Sequence, residues 1–287
     1  MPLLVALALL AAQTPPPHEE NYGPHGAMQD MTCPVGGEHF RALMTGSYST
    51  MGSRPDGRPN TYWFMPLPMP ECPSNGLVLF DTFAPADLAI LNRLIPSGDY
   101  RSLRGESTYY RAQWLATRLG RSETRALQLL LAATWQVKPA HGPIGQPLPS
   151  PERAQRYQEE FIARVRALPP APDEQAYFVL YVRAANAERE LGHFDRAAEM
   201  LRQASAMPVA TRSADAAAFL VKLTALVARR DAYGEPLDMV DEVQLGWLCL
   251  DETLPDTPFN RETCARPDVR ARIEAARRVQ AQQARTR

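Results

Sequence analysis

The period of the apolar positions changes near residue 85. Upstream, they alternate or gather in short runs. Phe40, Ala42 and Met44 alternate with Arg41, Leu43 and Thr45. Thr61-Tyr62-Trp63-Phe64-Met65 and Leu77-Val78-Leu79-Phe80 are aromatic or branched runs bounded by Pro and Gly. Such patterns predict strands, with Ser53-Arg54-Pro55-Asp56-Gly57-Arg58-Pro59-Asn60 as a turn-rich loop between them. Downstream, the spacing becomes helical, beginning with Leu88, Leu91 and Ile95 in a helix over 85–95. Further helices are predicted over 106–119, 122–137, 152–168, 173–191, 195–206, 213–230 and 267–284. Ser122 is a good N-cap. Residues 138–151 form a Pro/Gly linker, and Pro169, Pro170 and Pro172 separate two helices. The fold class expected is α+β, mostly α. It comprises a small ribbon-like β module over 31–84, a helical-hairpin domain over 85–250, and a loop with a terminal helix over 251–287.

The first twelve residues read differently. Leu3 to Ala12 is an uninterrupted apolar run of ten, too short for a bilayer span, which needs about 20 residues. It fits the core of a secretory signal over 1–12, with Ala12 as the last residue removed. A disordered, Pro-rich leader is expected over 13–30. The chain is therefore expected in the periplasm or the medium. No later stretch approaches 18 apolar residues, so no membrane span is predicted.

Charge narrows the partner classes. Lys+Arg number 31 against 32 Asp+Glu, a formal net charge of -1, which argues against a protein that grips nucleic acid or anionic lipid through bulk charge. All but two of those 31 cations are arginine, the lysines being Lys138 and Lys222. The arginines between 266 and 287 read as an exposed polar helix face rather than a nucleic-acid arm.

The four cysteines carry the most information. Cys33-Pro34-Val35-Gly36-Gly37 and Cys72-Pro73-Ser74-Asn75-Gly76 are two copies of the knuckle that zinc ribbons write C-P-x-C-G. The second thiolate position is Gly36 in one copy and Asn75 in the other. Two thiolates cannot close a structural zinc site. Facing knuckles bring their leading cysteines together, and in an oxidising compartment the pair is expected to form a Cys33–Cys72 disulfide. Cys249 and Cys264 bracket a loop with Pro255 and Pro258 and would form the second. Four cysteines allow three pairings, and the knuckle argument and loop length select the local one. The rival reading keeps a metal on Cys33, Cys72 and a nearby histidine such as His39.

Tyr181 to Pro208 is close to one tetratricopeptide repeat. Ala185 permits close helix approach, Gly192 supplies the turn, and Phe194, Ala197, Leu201 and Ala204 pack inward before the stop at Pro208. Residues 111–131 are a weaker relative with Gly120 at the turn. Such hairpins must stack to bury their faces, and a stack offers a groove for a protein or peptide partner.

Taken together, these motifs, with Tyr48-Ser49-Thr50, Ser53-Arg54-Pro55-Asp56-Gly57, Tyr109-Tyr110-Arg111 and Leu191-Gly192, resemble an uncharacterised bacterial family. Its members carry paired CP-x-CG knuckles, a short strand-rich module and a helical half with tetratricopeptide-like hairpins. The resemblance covers about 31 to 230 and looks most like a proteobacterial branch with degenerate knuckles. It implies the fold and no activity, and Gly36 and Asn75 depart from its zinc pattern.

No G-x-S-x-G, P-loop, H-E-x-x-H or dinucleotide fingerprint occurs. The five histidines fall into no triad or zinc spacing. Arg54 and Asp56, beside Tyr62 and Trp63, are the candidate surface loop, with bracing of the loop as their alternative role. The expectation is an exported, non-enzymatic interaction or scaffold protein without a cofactor.

Overall fold

A computed structural model describes residues 25–138, 149–171 and 173–286. The expected signal segment over 1–12 and the expected leader up to residue 24 lie outside the described residues. The fold is α+β and mostly helical. It opens with an antiparallel ribbon of β1 (Gly26–Thr32) and β2 (His39–Thr45), in a register that pairs Gly26 with Thr45 and Thr32 with His39. Residues 26–30, placed by the sequence in the leader, are therefore strand.

The two later runs are not strands. Residues 61–65 are irregular, and near 77–80 there is only a bridge between Glu71 and Val78. Pro59, Pro66, Pro68 and Pro70 remove the donors that a ladder would use.

The expected helices follow, with the short α2 added to them: α1 (Pro85–Leu94), α2 (Gly98–Ser102), α3 (Thr108–Arg118), α4 (Glu123–Val137), α5 (Pro151–Arg166), α6 (Gln175–Glu190), α7 (Phe194–Ser205) and α8 (Ala214–Ala228). Then come α9 (Glu242–Leu248), α10 (Pro258–Ala265) and α11 (Pro267–Thr286). Several helix starts are fixed by serine caps. Ser107, Ser122, Ser150 and Ser213 each accept the N–H three residues on. The stops of α3 and α6 repeat one device. Gly120 and Gly192 adopt φ of 70° and 77°. Arg121 N–H then reaches back to Ala116 O, and His193 N–H to Glu188 O. This six-to-one closure reverses the chain, and each helix from α3 to α8 packs on the next.

Two apolar clusters run through the molecule. One joins Cys33, Cys72, Leu77 and Val78 of the knuckles to Leu91, Ile95, Tyr100, Leu115 and Ala126. The other fills α4 to α8 around Leu130, Tyr157, Phe161, Leu201 and Leu223. The apolar core therefore runs on across residue 84, and the knuckles are packed against α1–α4. No helix among the described residues is long and apolar enough to cross a membrane.

Candidate functional site

The knuckles are built alike. Gly37 N–H donates to Cys33 O and Cys33 N–H to Glu38 O; Gly76 N–H donates to Cys72 O and Cys72 N–H to Leu77 O. Gly36, Gly37 and Gly76 all take positive φ, which glycine adopts without the Cβ clash. Between the knuckles lies the Cys33–Cys72 disulfide, with an S–S distance of 2.11 Å and both residues buried. Asn75, at the position of a missing thiolate, acts as a strut. Its Nδ2 donates to Val35 O at 2.7 Å and its Oδ1 accepts Leu77 N–H at 2.9 Å. The sulfurs are bonded to each other rather than held for an ion. His39 Nδ1 lies 3.0 Å from Thr32 Oγ1 on the exposed face of the ribbon. Among the described residues, no group of three His, Cys, Asp or Glu is placed to hold a metal.

The second knuckle is bolted to the helices. Arg111, almost wholly buried, grips both Glu71 oxygens at 2.7 and 2.6 Å and donates to Gly76 O at 2.9 Å. Tyr100 OH donates to the same carbonyl at 2.6 Å.

The four loop residues named above as a surface site separate. Only Tyr62 is exposed; Arg54, Asp56 and Trp63 are buried. The loop is turned into the molecule, against α4, α6 and residues 231–235, because its charges find partners there. Lys138 Nζ lies 3.1 Å from Asp56 Oδ2 and 2.6 Å from Glu190 Oε2. Arg54 Nη2 lies 2.9 Å from Glu235 Oε1. Arg183 Nη1 donates to Pro55 O at 2.5 Å, and Arg58 Nη1 to Trp135 O at 3.2 Å. The bracing role also holds, since Asp56 Oδ1 accepts Arg58 N–H at 3.0 Å.

Burial pushes the Asp56 carboxyl up, but Lys138, the Arg58 N–H and Arg54 outweigh it and hold it below its ordinary range. Burial pushes Lys138 down, and Glu190 and Asp56 more than reverse this. Burial and the neighbouring Arg54 lower Arg58 to about 10.

Gly57 sits where the loop meets Arg183. Its φ is 88°, and a Cβ there would lie 2.9 Å from Arg183 Nε. Gly57→Ala is expected to cost about 2 kcal/mol, read as a thermal unfolding shift. Gly120→Ala has a similar φ and open space around it and should cost less. Equal shifts for the two variants would show that the loop is not held through Arg183.

On the other side of this loop is a cleft of about 620 Å³. One wall is Arg58, Pro59, Asn60, Thr61, Trp63 and Met65. The opposite wall is Gln244, Trp247, Leu248 and Leu250–Thr253, with Gln280 of α11 at one end. Arg54 and Glu235 line it as an ion pair. The second wall is fixed by the Cys249–Cys264 disulfide. That bond does not bracket a plain loop: Cys249 directly follows α9 and Cys264 lies in α10. α9 also crosses α11 closely, since a Cβ on Gly246 would meet Arg272 C and O at 2.9 Å. Of this wall only the Cys249–Cys264 bond is expected from the sequence; α9 is short and shows no long apolar period.

No family model matches the chain, and neither the curated proteins searched nor the solved structures searched contain a match.

Proposed function

We propose that the chain is an exported, non-enzymatic binding protein that takes its ligand in the cleft between residues 58–65 and 244–253. The observation that carries this is a concave surface whose two walls are each fixed independently, one by buried ion pairs and one by a disulfide. A volume of about 620 Å³ is that of a small-ligand site, and a pre-formed site loses little freedom on binding. Export is supported by the two disulfides. Glu235 stands in an ion pair with Arg54 in the cleft, which suits a binding role for it.

The stacked helices favour a second reading, a partner laid along the array. Its best surface is α8, where Val221 is 71% exposed. A photo-crosslinking amino acid placed at Thr253, exposed on the cleft wall, and separately at Val221 decides between them. Adducts of one defined mass at 253 and none at 221, in protein recovered from the exported fraction, are expected. Adducts at 221 alone would move the binding surface to the helices and overturn the cleft.

A further inference from the structure

Resting on that cleft, we infer that its ligand is a neutral oligosaccharide of pyranose units. Charge is the first argument. Arg54 Nη2 is paired with Glu235 and Arg58 Nη1 donates to Trp135 O, while Arg54 Nε, buried with no hydrogen-bond partner among the described residues, is a single donor that a sugar oxygen satisfies as well as an ion does. The remaining acids are Asp251, whose Oδ1 accepts the N–H and hydroxyl of Thr253 at 2.8 and 2.9 Å, and Glu252 at the rim. With two cations and three acids lining it, the cleft is close to electrically balanced.

Hydrogen-bonding type is the second argument. Asn60, Thr61, Gln244, Thr253 and Gln280 are amides and hydroxyls, each able to donate and accept. A sugar hydroxyl does the same, so a polyol matches this lining better than an ion does. Gln244 Oε1 is buried with no hydrogen-bond partner among the described residues, and a donor entering the cleft would relieve it.

The third argument is the apolar surface between these groups. Trp63 and Trp247 both line the cleft. Trp63 is 7% exposed and spends its indole N–H on Thr45 Oγ1 at 3.1 Å, so the flat carbon suited to the C–H face of a pyranose is that of the half-buried Trp247. An extended peptide would need free backbone groups along one wall. The loop instead closes on itself, with Met51 N–H on Asn60 O, Asn60 N–H on Gly52 O and Arg54 N–H on Arg58 O.

The test is titration of the full chain with cellotriose, chitotriose and maltotriose, followed by calorimetry and tryptophan fluorescence. Trialanine and trigalacturonate serve as the peptide and anionic arms. Binding of at least one neutral trisaccharide with a fluorescence change is expected. Trp247→Ala should weaken it about tenfold, and Gln280→Ala, on the exposed side of α11, should weaken it severalfold without moving the unfolding midpoint. Trp114→Phe, on α3 outside the cleft, should leave it unchanged. Binding of none of the three, preference for trialanine or trigalacturonate, or indifference to both cleft variants overturns the assignment. A non-glycan adduct at position 253 would do so too while leaving the cleft in place as the binding site.

Discussion

Replacing Cys33 and Cys72 together by alanine lowers the stability of the chain by about 4 kcal/mol in the chain-entropy treatment of a loop this long. The unfolding midpoint falls by roughly 8–15 °C. The cross-link joins residues 39 apart in sequence, whereas Cys249–Cys264 joins residues 15 apart. Removing the second pair should therefore cost less, about 3 kcal/mol. Without the first bond, the knuckles face each other through Asn75, the Ser74 N–H to Glu38 Oε2 hydrogen bond and the shared apolar core. Reduction orders the two in the same molecule. Cys33 and Cys72 are 1% and 0% exposed, while Cys249 and Cys264 are half-buried beside the cleft. Mild dithiothreitol followed by alkylation should label 249 and 264 first. A double alanine variant at 33 and 72 within 1 kcal/mol of the parent would mean that the ribbon is held by packing and not by the bond.

The cysteine pairing was legible because each knuckle is a local motif. Cys-Pro-x-x-Gly encodes its own hydrogen bonds, and two such turns can face each other in few ways. Helices were legible where serine caps and turn glycines punctuate an apolar stripe, as at Ser122 and Gly192. The run at 61–65 misled because Trp63 and Met65 are buried while Tyr62 is exposed, which mimics a strand; prolines on either side deny it a partner. β1 was missed for the opposite reason. Its residues GAMQDMT show no sustained apolar alternation and lie largely exposed, so the ribbon is defined by its partner β2 and not by a buried face. The cleft was illegible because its walls are about 180 residues apart in sequence, and the charges that seat the first of them each read singly as solvated. One sign was present. In a chain whose cations are almost all arginine, a lysine at 138 stands out. A compact ammonium fits between two carboxylates where a planar guanidinium would demand its own fork of acceptors.

That lysine is where the largest loss from a single substitution is expected. Lys138→Met leaves Asp56 and Glu190, each at least nine-tenths buried at the side chain, without the charge between them. Breaking a buried ion pair by removing one partner costs about 3–5 kcal/mol, a midpoint fall of roughly 10–15 °C. Gln158 and Asn186 still donate to Glu190 at 2.7 and 2.8 Å, so Asp56 is the more exposed to the loss. The dependence on pH has a definite sign. Asp56 is held low in the folded chain, so its contribution is present above the unfolded carboxylate value of about 3.9 and is lost as pH falls through its lower folded value. Lys138 is held high, so its contribution is complete below about 10.4 and is lost only as pH rises through its raised folded value. The gap between parent and Lys138→Met should therefore stay wide from about pH 5 to 9 and close in acid. The triple variant Asp56→Asn, Lys138→Met, Glu190→Gln removes the charges together and should recover most of the loss, because uncharged groups of similar shape carry a smaller desolvation cost. A triple variant no more stable than the single one would show that the loop is seated by shape, and that the charges merely follow it in.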